Sequence, residues 1–157
     1  MKKLLIGLFA VSFTLSFIIG CADDDDDNAE NFDSTLEITG SYMDTYGSMH
    51  QLSADTWTTV SPSAVDGGVS STSVVHITNI DNGSKYLVGQ NDKDNTFSPN
   101  LWSKYNWVSD SANLYYCQIA FDAATKEAAL DVTNADSSDL IKGCNSFAWS
   151  KLISVKK

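Results

Sequence analysis

Any chemistry in this 157-residue chain must come from two histidines, three cysteines, 20 acidic residues and a run of clustered aromatics. His50 and His76 are the side chains suited to act as a general base near neutral pH, and a serine triad can be assembled around such a base from distant positions. The motifs that fix such machinery locally are missing from the sequence. It has no Gly-x-Ser-x-Gly elbow, no His-Glu-x-x-His, no Gly-x-Gly-x-x-Gly and no phosphate-cradling glycine loop. Acids are plentiful enough for a sugar-hydrolysing carboxylate pair, but no spacing brings a particular two together. Two clusters, Asn91-Asp92-Lys93-Asp94-Asn95 and Asp136-Ser137-Ser138-Asp139, offer oxygen ligands of the kind calcium takes. The first carries a lysine at its centre and lacks the glycine and distal glutamate of a helical calcium loop. Asp, Asn and Ser are also the residues of ordinary turns, because their short side chains hydrogen-bond nearby backbone. Both clusters are therefore read as turns. No catalytic residue, metal or other cofactor is assigned, and an enzyme is not expected.

The aromatics suggest binding instead. Trp102-Ser103-Lys104-Tyr105-Asn106-Trp107 is followed by Tyr115 and Tyr116. On a strand Tyr105 and Trp107 share one face and Trp102 lies on the other, so a large ring meets water unless both faces are covered. Exposed rings contribute contact area at small entropic cost and stack on sugars or peptide side chains. Trp102, Tyr105, Trp107 and Tyr116 are thus a candidate surface for a protein or carbohydrate ligand. The alternative is that they fill the core of a small domain.

These residues follow a leader. Lys2 and Lys3 precede an apolar run of 16 residues, Leu4 to Ile19. That run is shorter than the roughly 20 residues a helix needs to cross a bilayer core, and it reads as the centre of a signal peptide. Ile18-Ile19-Gly20-Cys21 resembles the lipobox of bacterial lipoproteins, in which a small residue precedes the cysteine that takes a diacylglycerol before cleavage. The resemblance implies that residues 1–20 are removed and that Cys21 carries acyl chains, palmitate among them. Several chains on one cysteine anchor stably without a transmembrane helix. An ordinary secretory signal or an uncleaved anchor is the alternative. With Cys21 assigned to lipid, Cys117 and Cys144 remain as an even pair in an oxidising compartment, where a disulfide is expected. A loop of that length stabilises by roughly 3.6 kcal/mol in the loop-entropy model. The competing readings are buried thiols or a metal site, but the chain has no Cys-x-x-Cys and few histidines for zinc.

The chain carries a formal charge of −10 and contains no arginine. Seven of its 20 acids lie between positions 23 and 33, leaving 13 acids against eight lysines in residues 35–157, a charge of −5. Phosphate recognition needs a basic footprint, so nucleic acid is excluded as an expected partner. The membrane is a partner through the lipid on Cys21. Residues 21–34 form an acidic tether whose like charges repel, solvate and extend it. Ala22 with Asp23 to Asp27 also resembles the acid-rich stretch that, behind the lipid cysteine of some surface lipoproteins, directs export to the cell exterior. The expected location is the cell envelope, lipid-anchored at the outer membrane and displayed on the surface.

Residues 35–157 fit one domain. Thr, Val, Tyr and Trp are frequent, and alternating apolar stretches are divided by turn residues. Expected strands are Leu36–Tyr42, Met49–Val60, Ser73–Ile80, Ser84–Gln90, Leu101–Val108, Asn113–Phe121 and Ser146–Val155. Asn82-Gly83 supplies the positive φ angles of a tight hairpin. Alternation turns His76 to solvent and makes Tyr115, Cys117, Ile119 and Phe121 one apolar face that buries Cys117. In the last strand Phe147, Trp149, Ile153 and Val155 share a face interrupted by Lys151. A short helix is expected over Ala123–Val132, capped by Asp122, with Ala124, Ala128 and Val132 on its packed side. The fold class is all-β and mostly antiparallel, a β-sandwich or small barrel of about seven strands with one short helix. The C-terminal stretch, from Tyr115-Tyr116-Cys117-Gln118 through Gly143-Cys144 to Phe147-Ala148-Trp149-Ser150-Lys151-Leu152, resembles the closing module of small bacterial surface lipoproteins of unassigned function. The functional expectation is a lipid-anchored binding module. The alternatives are a small-ligand carrier with an apolar cavity inside a barrel and an envelope hydrolase using His50 or His76.

Overall fold

Strand-forming residues divided by polar turns give eight strands and one short helix in the computed structural model, which describes residues 35–63, 68–110 and 113–155. The signal peptide, Cys21 and the acidic tether lie outside the described residues. The strands are β1 (Gly40–Asp44), β2 (Met49–Leu52), β3 (Thr56–Pro62), β4 (Val69–Asp81), β5 (Tyr86–Asn91), β6 (Trp102–Ser109), β7 (Leu114–Ala123) and β8 (Ser150–Ser154). Helix α1 (Lys126–Leu130) lies between β7 and β8. Each strand pairs antiparallel with the next, and β8 returns to β1, so the sheet closes into a barrel rather than a sandwich.

Met49–Val60 is two strands rather than one. Ser53 and Asp55 break it: the Ser53 amide donates to Thr56 O at 2.9 Å, while Ser53 Oγ accepts from the Thr56 amide at 3.0 Å and donates to Asp55. The extra strand permits closure, since in an up-and-down meander only an even count leaves the first and last strands antiparallel. The β4–β5 connection is also not the tight two-residue turn that Asn82-Gly83 suggests. It spans residues 82–85, with the positive φ at Lys85 and the Asp81 carboxylate accepting from the Ser84 amide at 2.7 Å.

Inward-facing residues fill the lower barrel with Leu52, Trp57, Val75, Leu87, Tyr105, Trp107, Leu114 and Leu152. Leu36 and Ile38, from the segment ahead of β1, join this cluster and plug that end. The plug is stitched in place by polar contacts. Asn82 accepts from the Glu37 amide and donates to Thr35 O, Lys85 pairs with Glu37 at 2.7 Å, and Trp107 Nε1 donates to Glu37 Oε1 at 2.8 Å.

A second, outer core forms where the chain between β7 and β8 folds back over the barrel wall. Cys117, Ile119 and Trp149 are buried there against Val132, Ala135 and Leu140. Cys117 and Cys144 are disulfide-bonded, with Cα atoms 5.6 Å apart. The burial expected for Cys117 holds, but against this flap rather than the interior. The flap closes on Lys104, an outward-facing buried lysine whose ammonium donates to Leu130 O at the end of α1 and to Val132 O just beyond it. α1 is shorter than expected, is capped by Thr125 rather than Asp122, and buries Ala129 rather than Ala128. The expected strand Ser146–Val155 forms only over β8, and the expected apolar face does not enter the core: Trp149, ahead of β8, is covered by the flap, Phe147, Ile153 and Val155 are exposed, and Leu152 on the opposite face of β8 enters the core.

Candidate functional site

Above the apolar floor the inward-facing residues turn polar, and a cavity of about 430 Å³ opens at the barrel end away from the plug. Its described lining is Thr59 from β3, Ser73 from β4, Asn91 from β5, Tyr105 from β6, and Tyr116, Gln118 and Phe121 from β7, with Phe97 and Ser98 from the β5–β6 loop. Strand register explains the convergence. Thr59 lies opposite Ser73, and Tyr105 lies opposite Gln118, so adjacent strands deliver neighbouring side chains to one interior level.

A bulge brings in Phe121. Tyr105 pairs with Gln118 but Lys104 pairs with Ala120, so β7 carries one extra residue and its alternation reverses beyond that point. Phe121 thereby leaves the outward face expected from Tyr115, Cys117 and Ile119 and lines the mouth. It is 57 % exposed, and Phe97 beside the same opening is 79 % exposed.

The cavity floor is a cluster of rings. Trp57 and Tyr105 stack with centroids 4.5 Å apart, and Tyr116 packs against Trp57 at 5.2 Å and His50 at 5.3 Å. Burial pushes the Tyr105 phenol far above its ordinary value and raises that of Tyr116, whose hydrogen bond with Ser150 acts in the other direction. Both phenols are neutral at physiological pH.

Beneath the polar wall runs a buried chain of hydrogen bonds. The Asp44 carboxylate accepts from the Tyr46 amide at 2.8 Å, the Ser48 amide at 2.9 Å and His50 Nε2 at 3.1 Å. His50 Nδ1 accepts from Trp57 Nε1 at 3.1 Å and lies 3.2 Å from Thr59 Oγ1. An indole N–H can only donate, which fixes the tautomer: Nδ1 is the acceptor and Nε2 carries the proton toward Asp44. Burial lowers the pKa of His50, and the Asp44 hydrogen bond and charge offset this only in part. For Asp44 burial acts to raise the pKa, but the bonds from His50, Ser48 and Tyr46 outweigh it, so the carboxyl lies below its ordinary range.

Asp44, His50 and Thr59 have the order of a catalytic triad. Their geometry supports another role. Protonating Nδ1 would set two N–H hydrogens against each other at Trp57, so the imidazole is a poor proton acceptor and a good rigid strut. A second chain orders the mouth. Gln118 Nε2 donates to Ser103 Oγ at 3.2 Å, Ser103 donates to Asn91 Oδ1 at 2.8 Å, and Asn91 Nδ2 donates to Ser98 O and Phe121 O.

Of the four aromatics assigned to a candidate surface, Tyr105 and Tyr116 line the cavity. Trp107 lies in the interior core below it, 1 % exposed and held by Glu37. Trp102 is half-buried on the outer wall, on the face opposite Ser103. The exposed position expected for His76 is observed, and its Nε2 lies 2.7 Å from Asp92. The acidic clusters serve as turns. Asp92 accepts from the Asp94 amide, Asp136 from the Ser138 amide, and Asp139 from the Ile141 and Lys142 amides. No group of three His, Cys, Asp or Glu side chains among the described residues could hold a metal ion.

The sequence points to Tyr105, Tyr116 and His50, and to Asn91 only as part of an acidic turn, but not to Thr59, Ser73, Phe97 or Gln118 as lining residues. The available signal was inward-phase polarity, Ser103 beside Tyr105 and Gln118 beside Tyr116, which is unexpected in strands that close on a core. The chain is by these features an eight-stranded, up-and-down antiparallel barrel with one plugged end and one open end. No protein-family model, curated protein or solved structure matches it.

Proposed function

We propose that the protein is a lipid-anchored extracytoplasmic binding protein that holds a small molecule in the open end of its barrel and does not convert it. The observation that carries this reading is the ring-floored cavity of about 430 Å³, within the roughly 300–1,000 Å³ of small-molecule sites. Its wall is pre-formed, because the hydrogen-bond chains through His50 and Asn91 fix the side chains around it. The carrier reading thereby gains over a flat aromatic surface, since Tyr105 and Trp107 face the interior. The cavity is less apolar than a simple carrier would need: Thr59, Ser73, Asn91, Ser98 and Gln118 share the lining with the rings.

The anchor and the location rest on the sequence. Cys21 takes the lipid, residues 21–34 space the barrel from the membrane, and the domain lies in the cell envelope on the outer membrane, displayed at the surface. The Cys117–Cys144 disulfide supports an oxidising compartment. No helix of the described residues is long and apolar enough to cross a membrane, which is compatible with anchoring by lipid.

Two experiments test the reading. Native mass spectrometry of the full chain purified from its source membrane should show a small-molecule adduct that denaturation releases and that a Ser73→Trp variant, with its cavity filled, lacks. An adduct-free spectrum, with no mass gained from an extract of the same cells, overturns the carrier role. Protease shaving of intact cells should remove an epitope in residues 35–157; protection until lysis places the barrel in the periplasm and leaves the aspartates as a spacer.

A further inference from the structure

We infer that the cavity takes an uncharged molecule built on a flat ring and carrying a hydrogen-bond donor; this rests on the reading of the cavity as a small-molecule site. Charge selects first. No Lys, Asp or Glu is among the described lining residues. The buried Lys104 faces the outer wall, where its ammonium is held by the carbonyls of Leu130 and Val132, so this cation is not offered to an anionic ligand. The buried carboxylate nearest the floor, Asp44, already accepts from three donors and is 5 % exposed, so it is not offered as a counter-ion to a cationic one. A charged guest would enter a desolvating pocket unpaired, which is the unfavourable case.

Shape and polarity select next. Tyr105 and Tyr116 line the interior level and Phe97 and Phe121 the mouth, so ring surfaces bound the cavity at both depths. Aromatic pairs prefer offset or edge-to-face contact, which a flat guest can make with several of these rings at once. The polar groups argue against an alkyl chain. In the mouth network Gln118 donates through Nε2 to Ser103, and among the described residues no donor reaches its Oε1 and Ser73 Oγ has no hydrogen-bond partner. Covering these two groups with a chain that cannot bond them leaves polar atoms unsatisfied. A ring bearing an N–H or O–H satisfies the Gln118 carbonyl while stacking below it.

The test uses four matched probes titrated calorimetrically into the detergent-solubilised full chain: 2-naphthamide, 2-naphthoate, 2-naphthylmethylammonium and decahydro-2-naphthamide. Binding is counted as cavity-dependent where Ser73→Trp removes it, and the near-isosteric Gln118→Leu provides a second variant should Ser73→Trp misfold. The expected result is cavity-dependent binding of 2-naphthamide about tenfold or more tighter than each of the other three, weakened about fivefold or more by Gln118→Leu. Equal or tighter cavity-dependent binding of the carboxylate, the ammonium or the saturated amide overturns the inference and leaves the small-molecule reading standing. Absence of cavity-dependent binding by all four also overturns it, and the small-molecule reading is then judged by the mass-spectrometric adduct alone.

Discussion

At the scale of single residues, the interior is organised by one imidazole whose protonation state is set by its neighbours. His50 sits between a carboxylate and an indole, and burial holds its pKa below the ordinary 6.5. In the unfolded chain the same ring takes up a proton near its ordinary pKa, so below about pH 6.5 unfolding is coupled to proton uptake and stability falls as pH falls. Asp44 acts in the same direction at lower pH, since its folded pKa lies below the ordinary 3.8 and its stabilisation is lost as pH falls through the folded value. Urea midpoints measured from pH 7.5 to 5 should therefore decline, and His50→Gln, which can still donate toward Asp44 and accept from Trp57, should flatten that decline. A slope unchanged in His50→Gln would assign the titration elsewhere. Asp44→Ala should destabilise in equilibrium unfolding by about 1–3 kcal/mol for each buried donor left unsatisfied, because it strands the His50 donor and two backbone amides.

At the scale of elements, the barrel wall and the flap are separable. The disulfide joins β7, at Cys117 opposite Asn106 of β6, to the chain ahead of β8, while the pairings from β1 through β6 do not involve it. Replacing Cys117 and Cys144 together by alanine should cost about 2–4 kcal/mol. Hydrogen exchange should accelerate across residues 124–149 and leave β2 to β5 protected; uniform loss of protection would show instead that flap and barrel unfold as one unit. Gly89 marks the closest approach in the wall. A Cβ there would lie 2.6 Å from His76 O and from Val75 Cγ1, beside the bulge in β4. Gly89→Ala should therefore destabilise by about 1–3 kcal/mol, read as a lower urea midpoint at unchanged slope. Turn chemistry decided which boundaries could be read in advance. Ser53-Ala54-Asp55 folds Met49–Val60 into two strands by side-chain hydrogen bonds that alternation does not register.

At the scale of the whole molecule, one end of the barrel is shut and the other is left open. The shut end depends on a segment outside the sheet: Leu36 is buried among the interior side chains, and Glu37 bonds both Lys85 and Trp107. Leu36→Ala should cost about 2–5 kcal/mol in thermal or urea unfolding. Its effect should exceed that of Ile153→Ala, since Ile153 faces solvent on the outer wall; equal effects would mean that the plug is not part of the cooperative core. The open end carries the proposed function. The cavity there follows from closure, because eight strands of this register leave more interior than their inward side chains fill.

Local rules of the sequence determined what local forces control. Alternation and β-branched content specified an antiparallel all-β domain with one short helix, the exposure of His76 and the burial of Cys117, and the cysteine count anticipated the disulfide. Only the tertiary structure decided which face of each strand turned inward. Both faces of β7 and of the stretch around β8 are apolar in part, one packing the interior through Leu114 and Leu152 and the other the flap through Cys117 and, just ahead of β8, Trp149, so periodicity alone could not rank them. A barrel cavity was among the alternatives the sequence allowed, but its lining lay beyond sequence reasoning for a related reason. Thr59, Ser73, Asn91 and Gln118 are ordinary polar strand residues until the closure of β8 on β1 turns one side of the sheet into an interior and makes their shared level a lined space.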